Sequence, residues 1–512
     1  MADINDTKDT LKFAGDFNLD VCTLVSYRKS PDQANEVVRF NILPQVMSVT
    51  LVEDISLQCI TGEINVSDAQ DIRTILPLTG LERLELKFYT PGATQLDRVE
   101  AVEGKTEPFY VYKIEKIRPA GGTGRQQVYR IHFTSREAYR NSITRVSKAF
   151  AGPVENGVAE ILLDGKYLDS RKPFYVEETK TNPKFVIPNV KPFKAIQMLA
   201  QSAISKNYKN ANYLFYETIR GFNFRSIESL LALGGHTARP VREKYHMQPA
   251  NTRVGGNKDV VQDMRNVSSY SFDDPVNIIE SLNNGLFANK LITHDSYHKK
   301  IEEHEFDYHG SFGEYYHTEH TDGEKSGIKF LQPYANFDNT EKNLSEHPLA
   351  KLMVTSQTSK IHDNYEFEDQ GDLVPNSISQ REQMANFNLI MTVSGNTRIH
   401  AGDLISFALP FQKPVAPDEK QELNPYYSGR YLVLQIKHIV PGPMSKNKRH
   451  EMIMRCVKDA VSNPLPVESD KIVVKLKDKS INQVVNVYED DQRFIRNENK
   501  EIDKSATEIL TG

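Results

Sequence analysis

Apolar and polar residues alternate with a period of two through most of the first 133 residues, the pattern of strands that bury one face. Val46, Ser48, Thr50 and Val52 open one run, and Leu57, Cys59, Thr61 and Glu63 alternate with Gln58, Ile60 and Gly62. Leu84, Leu86 and Phe88 alternate in the same way with Arg83, Glu85 and Lys87. Residues 109–117 and 126–133 flank Ala120-Gly121-Gly122-Thr123-Gly124, which predicts a long β-hairpin. Thr134 and Glu137 have the spacing of a capping box and predict a helix through Arg145 to about Phe150.

From 151 to 265 the pattern is mixed. Pro192 at a first helical position, followed by Phe193, Ile196, Leu199, Ala200 and Ala203, predicts a helix with one apolar stripe. Residues 213–219 and 222–224 flank Arg220-Gly221 and predict a second hairpin, whereas the glycine pairs of 234–262 read as loop. Strand character returns at 269–272, Asp274-Pro275 opens a short helix closed by Gly285, and strands follow at 286–298 and 301–308. Beyond these the chain turns charged and aperiodic until pattern resumes near Ala385, at Leu389, Met391 and Val393, then at 399–409, 431–440 and 450–457.

The predicted organisation is a polar arm at 1–18, a β-unit with one helix at 19–150 and an α+β domain at 151–265. A second β-unit is built from 266–309 and 385–460 around an insertion at 310–384, and 461–512 form a C-terminal extension. The fold class is mainly β with α+β parts.

The chain also repeats itself. Sliding it by 322 residues aligns 80–131 with 402–453 without a gap, and seven positions coincide: Gly80/Gly402, Glu100/Glu422, Val111/Val433, Ile114/Ile436, Ile117/Ile439, Pro119/Pro441 and Ile131/Ile453. Ordinary residue frequencies would give roughly three. In each copy a turn glycine precedes an alternating strand, then a strand bearing Ile-x-x-Ile-x-Pro turns into a return strand. Two superimposable β-units follow from this, and a duplicated unit suits a construction part better than an enzyme with a single cleft.

Composition narrows the classes. The 512 residues include 39% hydrophobic and 26% charged residues, enough apolar material for several cores. A net charge of −5 supplies no field for coating a polyanion, so any DNA contact is local. Cys22, Cys59 and Cys456 lie far apart with no C-x-x-C spacing, which points away from disulfides or a thiolate cluster and towards a reducing compartment. The polar N-terminus and the absence of any run near ~20 apolar residues predict neither a signal peptide nor a membrane span.

Candidate chemistry is sparse. Six histidines, His294, His298, His304, His309, His317 and His320, fall within 294–320, and His294-Asp295-Ser296-Tyr297-His298 imitates the zinc-peptidase H-E-x-x-H. That chemistry needs a helix; in the predicted strand four steps separate the two rings by ~13 Å, so no zinc is expected. Residues 121–125 lack phosphate-loop spacing, while Lys446, Lys448 and Arg449 at the repeat's counterpart tip can meet phosphate or an acidic partner but read first as a solvated turn. With no G-x-S-x-G elbow and no motif around any cysteine, the reading assigns no catalytic, cofactor-binding or metal residues, and no cofactor.

Three ordered blocks, Leu51-Val52-Glu53-Asp54-Ile55, 61–68 (TGEINVSD) and 76–82 (LPLTGLE), resemble the opening domain of baseplate hub proteins of contractile-tailed bacteriophages. Similar hubs carry versions of 133–137 (FTSRE), 212–217 (NYLFYE) with 221–226 (GFNFRS), and 426–431 (YYSGRY); the blocks keep the family's order over about 46–459. The resemblance implies two tube-like antiparallel β-barrels per chain and a homotrimer whose six barrels make a quasi-sixfold ring. Such a ring joins a hexameric tail tube protein to a trimeric spike protein, contacts other baseplate proteins and the tape measure protein, and leaves a channel through which DNA passes. It implies a non-enzymatic virion protein assembled in the host cytoplasm, with the hairpins 109–133 and 431–457 lining the ring and the helix after 135 outside. Alternatives are a spike-hub component of a bacterial contractile secretion system, which shares the plan, and a tail-associated cell-wall hydrolase.

Overall fold

The computed structural model describes residues 10–29, 35–76, 78–120, 126–180, 182–208, 211–232, 241–247, 259–273, 277–319, 328–329, 343–356, 371, 373–385, 387–411 and 423–461. The first part of the predicted arm, the tip 121–125, His320, much of the 234–262 loop and of the insertion, and the extension beyond Val461 lie outside them.

The first unit contains β1 (Asn18–Lys29), β2 (Asn35–Asn41), β3 (Val46–Asp54), β4 (Thr61–Asp68), β5 (Arg83–Tyr89), β6 (Val99–Ala101), β7 (Phe109–Ala120) and β8 (Gln126–Thr134). They pair antiparallel in the order β3-β4-β8-β7-β5-β1-β2, with β6 on β5. Leu84, Leu86 and Phe88 enter one core as expected, together with Val49, Leu51, Ile64, Val66, Ile131 and Phe133; on β3 the core parity is that of Val49 and Leu51, whereas Ser48 and Val52 of the run read above are half-buried. The run predicted through 57–63 is not one strand. Asp54 folds the chain back by accepting from Ser56 N at 2.7 Å, Leu57 N donates to Asp54 O at 3.1 Å, and Cys59 leaves to pack in the next core.

That next core belongs to the α+β unit, with β9 (Val146–Ala151), β10 (Phe174–Val176), β11 (Lys184–Val190), β12 (Tyr213–Thr218) and β13 (Gly221–Ser226). They form the small sheets β9-β11 and β10-β13-β12 against helices Val154–Leu163 and Pro192–Gln201. Pro192 opens its helix as predicted, burying Ala195, Ile196, Leu199 and Ala200. The helix predicted to reach Phe150 stops at Ile143, and the chain continues as β9 because Val146 to Ala151 find a partner strand in β11. Its N-cap is Ser135, and Glu137 closes no capping box because Ser170 and Lys172 hold its carboxylate instead.

The second unit uses β14 (Glu243–His246) and β15 (Val267–Asp273). After β16 (Ala288–Asp295), β17 (Lys300–Asp307), β18 (Ile328–Lys329) and β19 (Leu352–Ser356) it resumes with β20 (Asn388–Ser394), β21 (Leu404–Ala408), β22 (Gly429–Pro441) and β23 (Glu451–Val457), and β24 (Ala460–Val461) follows. Its order is β15-β20-β23-β22-β21, with β14 added parallel to β21. The hairpin β16-β17, assigned above to this unit within 266–309, stands apart in a sheet β17-β16-β19. It packs on helix Leu373–Ala385, where Asn289 Nδ2 donates to Pro375 O at 3.0 Å; that helix falls inside the segment read as aperiodic insertion. Helix Ile278–Asn284 ends at Gly285 (φ 82) as expected and is capped by Asn277; Asp274 and Pro275, read above as its opening, lie outside the described residues.

Both large units therefore carry one strand order: β3-β4-β8-β7-β5 in the first and β15-β20-β23-β22-β21 in the second. The equivalence extends to detail at the 322-residue offset. A β-bulge interrupts β7 between Val111 and Lys113 and β22 between Val433 and Gln435. Gly80 and Gly402 have φ of 85 and 86, the left-handed region open to glycine. Val111 N donates to Glu82 O and Val433 N to Asp403 O, both at 2.9 Å, similar bonds whose acceptors stand one residue off that offset. The chain is mainly β, and among the described residues no helix is long and apolar enough to cross a membrane.

Candidate functional site

The two β-units meet along one strand pair. The first half of β22 pairs with β21, and its second half, from Gln435 to Pro441, leaves β21 and pairs antiparallel with β3 from Asp54 to Ser48. This seam makes one continuous sheet of both units. The corresponding second half of β7, Lys113 onward, pairs only with β8 among the described residues, and Ile117 there and Tyr112 at the bulge before it are 45% and 50% exposed. The edge that β22 uses within the chain is thus presented outward by β7.

Behind the seam lies a buried ionic cluster. Glu53 of β3 shares strand parity with the core residues Val49 and Leu51, and it is fully buried. Its Oε1 lies 3.3 Å from His400 Nδ1 and accepts from Ile219 N at 2.8 Å, while Oε2 accepts from Ala401 N at 2.9 Å. His400 Nε2 lies 3.3 Å from Asp97 Oδ1, which Arg220 grips through Nε at 2.9 Å and Nη2 at 2.5 Å. Burial works against a charge on His400, but Glu53 and Asp97 outweigh it and raise the imidazole to about 9. Burial likewise opposes ionisation of Glu53 and Asp97, yet His400, joined by Ala401 N–H at Glu53 and by Thr94 and Arg220 at Asp97, holds both carboxyls below their usual range. Four segments of chain are thereby joined by charge-assisted bonds: β3, the 95–97 turn, the β12-β13 turn and the loop before β21.

A second network ties the α+β unit to the first. Lys172 Nζ donates to Glu137 at 2.8 Å and Glu217 at 2.7 Å, Ser170 Oγ donates to Glu137 at 2.6 Å, and Glu217 accepts from Ile60 N at 2.9 Å. Burial opposes the ammonium charge, but the two carboxylates overcome it and raise Lys172. One cation cannot serve both acids equally: Glu137, also held by Ser170, is lowered despite burial, and Glu217 is raised by burial and by the Glu137 charge. These bonds hold separate segments of the chain in fixed relation.

Among the described residues the histidine-rich segment does not converge on one point. β16 ends at Asp295, so His298 lies in the hairpin turn, not in the strand assumed above, with Nδ1 2.8 Å from Asp295 Oδ2, while His294 faces solvent on β16. His317 is buried 2.7 Å from Asp459 Oδ2 and stacks on Phe312. Among the described residues no group of three His, Cys, Asp or Glu side chains could hold a metal. Lys446, Lys448 and Arg449 are exposed, and the three cysteines are free and buried, burial pushing the Cys22 thiol up to about 12. Sequence reasoning passed over Glu53, Asp97 and His400; the signal present was Glu53, a charge at an inward strand parity.

No family model and no curated protein sequence matches the chain. Similar solved structures include a tail protein from Neisseria meningitidis, at 9% identity over 86% of this chain and 98% of that one, with a TM-score of 0.45. The 43 kDa tail protein of prophage MuSo2 from Shewanella oneidensis is 8% identical over 86% and 99%, with a TM-score of 0.44. An Escherichia coli component of the type VI secretion system is 9% identical over 81% and 73%, with a TM-score of 0.33. These neighbours belong to the phage tail and type VI secretion classes that the sequence resemblance names. At such identities no residue correspondence follows from them.

Proposed function

We propose that this chain is a structural, non-enzymatic hub of a contractile phage-tail baseplate, three copies forming a quasi-sixfold ring between a hexameric tail tube and a trimeric spike. DNA passes through the lumen, and the neighbours are other baseplate proteins and the tape measure protein, in a virion tail assembled in the host cytoplasm. The ordered sequence blocks at 46–459 motivate the family. The single observation that carries the reading is the repeated strand order with its seam: a unit built twice and joined to itself through β22 and β3 has the means to continue joining. In this reading 19–150 and 266–287 with 385–460 are the tube-like barrels, 151–265 is the domain between them, and 1–18, 310–384 and 461–512 are attachments.

The repeat also supplies the register of the ring contact. Lys113 and Gln435 are equivalent and face His132 and Arg455; these face Glu63 and Ile390, which face Thr50 and Ser271. Because Ile439 faces Thr50 across the seam, and a second bulge in β7 between Glu115 and Arg118 makes Arg118 the counterpart of Ile439, Arg118 should face Ser271 of a neighbouring copy. Unpaired edges are a liability in a monomer and an asset when copies join edge to edge. Light scattering on the full chain should give three times 58.3 kDa. The pair Arg118→Cys and Ser271→Cys should form disulfides between chains; a protein that stays monomeric at high concentration with tube and spike partners present sinks the ring.

A further inference from the structure

Beside the ionic cluster, the sheet contains two histidines with no charged partner of their own. His438 on β22 and His450 at the start of β23 are both 0% exposed, with His438 Nδ1 3.2 Å from His450 Nε2. The edges of Phe17 and Phe88 wall the pair, their ring centroids 6.3 and 6.1 Å from that of His450. A single hydrogen links the facing nitrogens, and among the described residues neither His438 Nε2 nor His450 Nδ1 has a hydrogen-bond partner. The site has no slack: a Cβ on Gly395 would stand 2.0 Å from the His450 ring. It is also a junction. His438 sits in the seam opposite Leu51 of β3, His450 N donates to Gly15 O of the N-terminal arm at 2.9 Å, and Gly395 N donates to His450 O at 2.8 Å.

We propose that the His438–His450 pair is an acid-sensitive latch, which holds the β3-β22 seam and the N-terminal arm closed while neutral and releases them when protonated. A proton added to the pair puts a charge in a dry aromatic box, and a second sets two imidazolium N–H groups against each other. The groups facing the pair cannot absorb that charge. From β3 comes Glu53, already committed to His400, Ile219 N and Ala401 N; from the loop before β21 comes His400, itself positive; among the described residues β5 and the arm contribute the rings of Phe88 and Phe17. Burial accordingly lowers His438 to about 4, with Glu53 opposing and His400 assisting, and lowers His450 well below its ordinary value, assisted by His438.

The direction follows by linkage. The unfolded or opened chain takes up protons near the ordinary imidazole value of 6.5, whereas the closed pair refuses them until about 4 or below, so closure is complete above about pH 7 and is lost as pH falls. Between pH 7 and 5 His438 alone weakens closure about 20-fold. His400 runs oppositely: raised to about 9, it strengthens closure about 4-fold over that interval. A net loss of at least about 5-fold remains before His450 adds its own share.

The experiment measures hydrogen-exchange protection factors of the full chain at pH 7 and 5, comparing β3 and β22 with β12 and β13 as an internal reference. Protection along the seam should fall at least about 5-fold relative to the reference, and residues 10–17 should become exchangeable with it. In the double variant His438→Phe, His450→Phe, which keeps an aromatic filling without a titrating group, the fall should vanish. Wild-type seam protection that stays level with the reference overturns the latch whether or not the variant folds. A fall of equal size in the folded variant overturns it too.

Discussion

Val111 and Val433 occupy equivalent places beside equivalent bulges, and each amide donates a 2.9 Å bond to a carbonyl of its own chain. Proline at either position removes that donor, orphans the carbonyl of Glu82 or Asp403, and forces a pyrrolidine ring into a ladder. Both valines are buried, at 1% and 0% exposure, so side-chain loss must be separated from the backbone effect by an alanine control. Deleting two buried methyl groups costs about 2 kcal/mol with its cavity. A buried carbonyl left unpaired adds about 1–3 kcal/mol, and with ring strain the proline variants should lose about 4–6 kcal/mol in all. The excess of proline over alanine, about 2 kcal/mol or more, corresponds to a roughly 30-fold faster opening of the surrounding strands. Hydrogen exchange of β5 and β7 in Val111→Pro, and of β21 and β22 in Val433→Pro, reads that excess directly. Equal exchange in the proline and alanine variants at both sites would refute the hydrogen-bond reasoning, and a large excess at only one would show that the two units share geometry without sharing energetics.

Other consequences are separately measurable. Lys172→Met leaves Glu137 and Glu217 facing each other without a cation and should cost about 3–5 kcal/mol at neutral pH. Because both carboxyls would then titrate above their unfolded value, that loss should shrink as pH drops towards 5, which denaturation at two pH values checks. Gly402→Ala should destabilise more than Gly80→Ala: both force φ near 85 on a side chain, but only at Gly402 would the new Cβ meet Tyr216 Oη, at 2.4 Å. Zinc should not bind at His294 and His298, so metal analysis after incubation with zinc should give the same content for wild type and for His294→Ala, His298→Ala.

Much of this architecture could be read from one dimension. Period-2 alternation assigned Leu84, Leu86 and Phe88 to a core face, since successive side chains of a strand point to opposite sides. The 322-residue offset exposed the duplication because matched turns need matched residues: Gly80 and Gly402 both stand at positive φ, and Ile-x-x-Ile-x-Pro recurs along two hairpin strands with the same bulge. What alternation does not carry is the identity of a strand's neighbour. β16 and β17 have a strand pattern as good as that of β15, yet they form a sheet of their own in which β19 joins β16, and only distant chain closure decided this. Val146 to Ala151 followed a helical start and became a strand because β11, more than thirty residues on, supplied its partner. The buried cluster was hidden for the same reason: Glu53, Asp97, Arg220 and His400 are ordinary polar residues in sequence, and the shifts of Glu53, Asp97 and His400 exist only once four segments come together and exclude water. Sequence determined which faces are apolar and that a unit occurs twice; the tertiary structure decided how the units join, because pairing and desolvation are properties of segments brought together from far along the chain.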